Sequence, residues 1–376
     1  MYDQRIAKLR EILSKQKIEA LLVSNFFNIL YLTGFKTLTS NEREAFVLVA
    51  KNNIYLFTDS RYLDNNYQST LNQNKFGSGQ AINNLQLKLI EPNKGLVNHL
   101  QDIIRDEKIK ALGFEAEDLR FYEYKKLQEA FKDITLYPTS KLVIKIREIK
   151  NEAEIKLIQK ACEAGDQCLE EMVKIIKVGI SEKEIAFKTE MWLKEKGYDL
   201  AFAPIVAIDA NSAVAHYNTK DGEGVVKDGS VILIDFGVKY KDYLSDITRM
   251  VFLGKASDEI KKVYEILSNA QEKTIEKIAD LESLKDVDDY CRKLITNYRL
   301  PNYPHSTGHG VGLEIHEYPK VSFNSPDRKL ENQVFTIEPG VYFPGKWGMR
   351  AEDTVTIGKD LKAKILTKFP KTLLVI

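Results

Sequence analysis

Four acidic residues, Asp235, Asp246, Glu338 and Glu352, each lie in a short segment that reads as structured. Asp235 closes VILI, Glu338 closes FTI, and Glu352 lies in RAEDTVTI. A carboxylate carried into a core is costly unless an opposite charge meets it. Asp235, at the end of an apolar run, therefore needs a partner. The four acids fall into two pairs about a hundred residues apart, Asp235 with Glu338 and Asp246 with Glu352. The surrounding plan repeats as well. Ile155, Ile158, Cys162, Leu169, Met172 and Ile176 recur at helical spacing, and Ser181-x-x-Glu184 reads as a capping box opening a second helix. After the first pair of acids the same order returns, with Ile260, Val263, Leu267, Ala270 and Thr274 on one helix and Val287, Tyr290, Leu294 and Tyr298 on the next. Two duplicated halves are expected.

With Tyr240 and Lys241 at the centre of a hairpin, Asp235 and Asp246 are directly opposed, their Cβ atoms about 4.5–5.5 Å apart. Two ionised carboxylates that close repel each other unless a cation lies between them. Taken alone, each acid reads as strand-end or surface charge. Taken together with His309 they form a set of four carboxylates and one imidazole, the donors that suit two hard or borderline divalent cations sharing a water-derived bridge. A dinuclear metallohydrolase is the reading this supports. The tripeptide Asp235-Phe236-Gly237 matches a kinase magnesium motif, but no HRD-type loop or glycine-rich nucleotide loop accompanies it.

The chain has five histidines, and three of them fall in HSTGHGVGLEIH. His305 and His309 are four apart, yet HSTGH is not HExxH, and Pro304 and Gly308 oppose a helix. In an extended segment His309 and His316 face opposite sides; Gly310 and Gly312 supply the bulge that turns both inward. His99 reads as structural. On RAEDTVTI, Glu352, Thr354 and Thr356 share one face and Ala351, Val355 and Ile357 the other.

A length of 376 residues suggests two domains. Residues 1–140 read as a mixed α/β domain: an apolar helical face at Ile6, Leu9, Ile12 and Leu13, a strand at ALLV, and a hairpin of FVLVA and IYLF around Lys51-Asn52-Asn53. The boundary lies in LYPTSKLVIKIREIKNEAEI, which leaves residues 141–376 as the second domain and gives an α+β chain overall. Lys and Arg (55) balance Asp and Glu (54), so no net field draws nucleic acid or an anionic membrane. Three cysteines without a CxxC pair oppose a disulfide framework or zinc ribbon, and the charged N-terminus is unlike a signal peptide. The apolar stretch IEALLVSNFFNILYLTGF is broken by Glu19, Asn25 and Asn28 and is too polar to span a bilayer. A soluble, cytoplasmic protein is expected.

The segments DFGVKYKDYLSDITR, HSTGHGVGLEIHEYP, IEPGVY and RAEDTV resemble those of the pita-bread metallopeptidases. The Xaa-Pro aminopeptidase and prolidase branch is the most similar, since NILYLTGF and TDSRY extend the likeness into the N-terminal half. The resemblance implies a creatinase-like N-terminal domain followed by a pseudo-twofold pita-bread catalytic domain. It also implies two divalent ions, manganese first, with cobalt and zinc as other candidates. Asp235 would chelate one ion, Asp246 and Glu352 would bridge both, and His309 and Glu338 would complete the other. Glu338 matches the general base. His216 and His316 match histidines that contact substrate and stabilise the tetrahedral intermediate, and His305 and Arg350 match substrate-binding residues on the proline side. The implied activity is removal of an N-terminal residue from peptides with proline second, by an Xaa-Pro aminopeptidase, with an Xaa-Pro dipeptidase (prolidase) as the alternative. A homodimer is implied too. A metal-free pita-bread binding module and the metal-free creatine-cleaving relatives are disfavoured because all five ligand positions are kept. A methionine aminopeptidase is disfavoured because it ordinarily lacks an N-terminal domain. Two departures stand out: the loop VAIDANSAVAHYNT before and around His216, and Ala351 in place of a branched residue beside Glu352.

Overall fold

Ile6, Leu9 and Leu13 recur at helical spacing, and Tyr2–Lys15 is a helix (α1) that buries all three. The computed structural model describes residues 1–62, 75–76 and 80–376. They divide into two units, Met1–Arg147 and Glu148–Ile376.

In the first unit the wholly apolar Ala20–Val23 forms a fully buried strand (β1). Helix α2 (Phe26–Thr33) follows, started by the Asn25 side chain accepting from Asn28 N–H at 3.0 Å and stopped by Gly34 at φ 72°. Strands β2 (Ala45–Ala50) and β3 (Ile54–Thr58) make the expected hairpin. Then come β4 (Leu85–Leu89), α3 (Leu96–Asp106), β5 (Ala111–Glu115), α4 (Phe121–Ala130), β6 (Thr135–Thr139) and α5 (Leu142–Glu148). The strands form one mixed sheet in the order β4-β3-β2-β1-β5-β6.

The second unit opens with α6 (Glu152–Ile175), capped by Asn151, and α7 (Glu182–Glu195). Only one half of the expected capping box forms on α7, the Ser181 hydroxyl accepting from Glu184 N–H at 3.2 Å. Strands β7 (Ile205–Ile208), β8 (Val231–Phe236), β9 (Val238–Tyr240), β10 (Tyr243–Leu244) and β11 (Ile247–Phe252) come next. The second half repeats the plan with α8 (Asp258–Lys277), α9 (Leu284–Thr296), β12 (Gly308–Gly310), β13 (Glu317–Val321), β14 (Val334–Ile337), β15 (Gly340–Phe343), β16 (Trp347–Arg350), β17 (Asp353–Ile357) and β18 (Ala363–Ile365). A last strand, β19 (Leu374–Val375), runs parallel to β11. The sheet of the first half is ordered β7-β8-β11-β19 and that of the second β13-β12-β14-β17-β18. Strand β8 is buried on both faces. Ile232, Ile234 and Phe236 join the core with α6 and α7, while Val231 and Leu233 join the core with α8.

The register corrects one expectation. The hairpin turns on Lys241 and Asp242, both at positive φ (47° and 71°), not on Tyr240 and Lys241. A two-residue turn with both central residues left-handed matches the twist of its strands, and aspartate tolerates that conformation. The pairing Phe236↔Ile247 and Lys239↔Leu244 therefore sets Asp235 across from Thr248, not from Asp246. The two aspartates are diagonal neighbours on one face. The facing arrangement occurs instead in the second half, where Ile337↔Asp353 and Gly340↔Arg350 put Glu338 across from Glu352.

A bulge also forms as expected beside Gly310, the β12–β13 register shifting between His309 and Gly310. The three cysteines are buried free thiols, and no helix among the described residues is long and apolar enough to cross a membrane.

Gly308 lets β12 lie close against β14, because a Cβ there would sit 1.8 Å from the Thr336 carbonyl oxygen. Gly308→Ala is expected to lower stability by about 1–3 kcal/mol, the usual range for overpacking, and to move His309 with its strand. Urea denaturation of the variant beside wild type checks this; equal midpoints would contradict the close approach.

Candidate metal centre

Asp235 is the fifth residue of β8, Asp246 immediately precedes β11, His309 is at the centre of β12, Glu338 follows β14, and Glu352 immediately precedes β17. In each half, one acid ends an outgoing strand and the other begins the returning one. The structure brings all five to one cavity of about 220 Å³. His309 Nε2 lies 3.3 Å from Glu338 Oε1 and 3.5 Å from Asp246 Oδ2. Ligand atoms of Asp246, His309 and Glu352 lie within 4.8 Å of one another.

Neighbouring groups orient each ligand. Thr248 Oγ1 donates to Glu352 Oε2 at 2.6 Å, and Thr336 Oγ1 donates to Glu338 Oε1 at 3.3 Å while accepting His309 N–H at 3.1 Å. Arg350 Nη2 pairs with Asp235 Oδ2. His309 Nδ1 faces the Gly310 carbonyl at 3.2 Å, and a carbonyl only accepts. The proton is therefore on Nδ1, and Nε2 turns a bare lone pair to the carboxylates. Burial, then the neighbouring His316, holds His309 down at about 3, so the imidazole is neutral and able to ligate.

The carboxylates show the opposite strain. Burial, then Glu352 and Asp235, holds Asp246 well above the usual carboxylate range, and burial, then Glu338 and Asp235, does the same to Glu352. Burial raises Glu338 to about 7 against the opposing pull of Arg350. Oδ1 of Asp235 and Oδ1 of Asp246 are buried and accept no hydrogen bond. Buried acceptors are rarely left in that condition. A donor set of clustered carboxylates, a neutral imidazole and two bare acceptor atoms fits divalent cations.

The other expected site residues line the same cavity. His216 and His316 are exposed at its surface, and the His316 ring meets His309 edge-on at 4.3 Å. His305 donates from Nδ1 to the Ser306 carbonyl (2.9 Å), so its Nε2 accepts from the Tyr342 hydroxyl (2.8 Å), which in turn accepts from Arg350 Nη1 (2.9 Å). Arg350 is buried and also donates to Thr248 Oγ1 (3.1 Å) and the Ala215 carbonyl (3.2 Å). Most of its five N–H groups are thus engaged within the protein. His99 lies in the first unit, its Nε2 bonded to the Leu89 carbonyl at 2.7 Å, in the structural role expected of it.

Several participants escaped the sequence reading. Thr248 and Thr336 each stand two residues from a ligand acid on a strand and so share its face; that alternation was a usable signal. Tyr342 and Glu182 had none. Glu182 is fully buried and accepts from Ile208 N–H (2.6 Å), Asn211 Nδ2 (3.0 Å), the Tyr217 hydroxyl (3.0 Å) and Gly224 N–H (3.0 Å). One carboxylate thus fastens both ends of the loop that carries His216.

The chain matches the family model of metallopeptidase family M24 over residues 156–359 and that of the Creatinase/Prolidase N-terminal domain over residues 5–149. It is 32% identical to a Xaa-Pro dipeptidase of Pyrococcus horikoshii, with 99% of each chain covered. Among solved structures it is similar to a Xaa-Pro dipeptidase from Bacillus anthracis (TM-score 0.88, 31% identity, 100% of both chains). It is similar as well to an X-Pro aminopeptidase from Thermotoga maritima (TM-score 0.84, 32% identity, 99% of both chains). The duplicated second unit is the pita-bread domain of these peptidases. With both family models matched in succession along one sequence, this chain belongs to metallopeptidase family M24, in the form that carries a creatinase-type N-terminal domain.

Proposed function

We propose that this protein is a metal-dependent Xaa-Pro dipeptidase. The observation that carries the reading is the single cavity in which four carboxylates and a neutral histidine converge, in a chain similar from end to end to named Xaa-Pro dipeptidases. The sequence reading put the aminopeptidase first; the names of the relatives favour the dipeptidase. The cavity, about 220 Å³, also falls below the roughly 300–1,000 Å³ of pockets for drug-sized ligands, which favours a short substrate. Aminopeptidase action stays as a second reading because the Thermotoga maritima neighbour covers the chain equally well.

Asp235, Asp246, His309, Glu338 and Glu352 would hold two divalent cations, and the oxygen-rich set suits manganese. Those cations would acidify the attacking water and polarise the scissile carbonyl. Glu338, beside His309, takes the proton from the attacking water and delivers it to the departing amine. His316 and His216 face the substrate at the cavity surface and donate to the oxyanion of the tetrahedral state. His305, fixed by Tyr342, borders the proline side. Arg350 acts by holding Asp235 and Tyr342 in place.

Cations bind the ionised carboxylates, whereas Asp246, Glu352 and Glu338 are all raised toward the protonated form. Protons therefore compete with metal, and affinity strengthens as pH rises through the region near 7 where Glu338 ionises. Calorimetric Mn2+ titration in buffers of different ionisation enthalpy should show proton release, with binding about tenfold tighter or more at about pH 8 than at about pH 6. Heats and affinities independent of buffer and pH would contradict the raised acids.

Glu338→Gln keeps the side-chain size but cannot take a proton. Turnover should fall by about a hundredfold or more, with metal content measured in parallel because the same residue ligates. Near-normal turnover with both ions bound would remove Glu338 from the base role.

The substrate assignment is tested by hydrolysis of Xaa-Pro and Xaa-Pro-Xaa-Xaa peptides at equal concentration. Cleavage of the dipeptide with little action on the tetrapeptide is expected. Preference for the tetrapeptide would establish the aminopeptidase, and failure on both would end the proline assignment.

A further inference from the structure

Behind the cavity lies a second ionic cluster that does not line it, buried except for its outer arm, Lys371. Its centre is Asp353, which follows Glu352 in sequence and so points to the opposite side of the chain. Asp353 is fully buried and each carboxylate oxygen takes two donors. Oδ1 accepts from Arg249 Nη2 (2.7 Å) and Thr367 Oγ1 (2.7 Å), and Oδ2 from Lys371 Nζ (2.8 Å) and Gln271 Nε2 (2.9 Å).

Two arms of this cluster, Arg249 and Gln271, end on the backbone of the site. Arg249 Nη1 donates to the carbonyl of Glu352 itself and to that of Thr248 (3.0 Å), whose hydroxyl orients the Glu352 carboxylate. Gln271 Nε2 also donates to the carbonyl of Ile337 (3.2 Å), the residue before Glu338. Arg249 Nε and Nη2 both reach the Phe369 carbonyl (3.1 and 2.8 Å), so the segment bearing Thr367, Phe369 and Lys371 is drawn into the same knot. One carboxylate thus connects, through single side chains, to the peptide units that carry Glu352, its orienting threonine, and Glu338.

We infer that Asp353 is a positioning residue for the metal centre, fixing Glu352 and Glu338 through Arg249 and Gln271, with Lys371 as the fastening cation. The inference rests on reading Glu352 and Glu338 as metal ligands. Removing the charge of Asp353 leaves Arg249 buried without its counter-ion, and the peptide of Glu352 loses its fixed hold. Partners that orient ligands typically contribute 10- to 100-fold to metal affinity.

The test is Co2+ binding to the full-length protein, followed by titration calorimetry and by the visible absorption of the bound ion. Asp353→Asn should weaken at least one of two binding events by about 10- to 100-fold and alter the Co2+ spectrum. Lys371→Met removes only the outer, partly exposed arm and should weaken binding by several-fold, which decides the matter should Asp353→Asn not fold. Thr189→Val, which removes a buried hydroxyl on α7 that bonds the Ile185 carbonyl, serves as a variant destabilised elsewhere and should bind Co2+ as wild type does. Wild-type affinity and spectrum in Lys371→Met and in any folded Asp353→Asn would overturn the inference, as would an equal loss in Thr189→Val. A wild-type protein that binds no Co2+, or a Glu352→Gln variant that binds it normally, would instead overturn the metal reading itself.

Discussion

Like-charge crowding governs this molecule. Asp246, Glu338 and Glu352 are gathered beside Asp235 in one cavity, where burial and neighbouring carboxylates act against the ionisation of those three. Among the described residues Arg350 is the one permanent cation lining it, and it is committed to Asp235. Hydrogen bonds do not resolve the conflict, since Oδ1 of each aspartate has no donor. A chain that keeps such a cluster must be stabilised elsewhere. Strands β8 and β11 lie between two apolar cores, and β14 and β17 add a third. Those cores let the polypeptide hold four acids in an arrangement that only added positive charge relieves.

The two halves meet where the acids do. Thr248, on β11, supports Glu352 beside β17, while Thr354, on β17, donates to the Asp246 carbonyl at 2.8 Å beside β11. Each half therefore supplies a threonine that fixes the ligand segment of the other. Neither half alone would present a complete donor set, so duplication and site geometry are one fact. The halves are not equivalent, however. Glu338 and Glu352 face each other squarely, whereas Asp235 and Asp246 are offset by two residues. The longer glutamate side chains and shorter aspartates reach a common centre from these unequal starting points.

Much of this was legible in the residues. The helical spacing of Ile158, Cys162, Leu169 and Met172 gave α6, and that of Val263, Leu267, Ala270 and Thr274 gave α8. The buried acids announced themselves by ending or beginning apolar runs, and glycines around His309 marked the bulge that the ladder contains. The hairpin centre was misread because YKDY holds no Asn-Gly or Asp-Gly pair. The register turned on the tolerance of Lys241 and Asp242 for positive φ, which composition signals weakly. Glu182 was invisible for another reason: its partners, from Ile208 to Gly224, are distant in sequence and half of them are backbone N–H groups, which carry no sequence signature.

Consecutive residues on an extended chain point to opposite sides, and Glu352-Asp353 shows what that alternation permits. One carboxylate enters the cavity, where a threonine hydroxyl donates to it and other carboxylates crowd it; the next enters the interior, where four donors saturate it. Burial pulls both acids in the same direction, yet Asp353 is held below the usual carboxylate range by Arg249 and Lys371 while Glu352 is pushed far above it. The contrast comes from partners, not from depth. A mobile ligand acid would swing toward the nearest donor and collapse the cavity. Anchoring its neighbour to two cations, with the guanidinium turned back onto the Glu352 carbonyl, keeps the frustrated carboxylate from finding that relief.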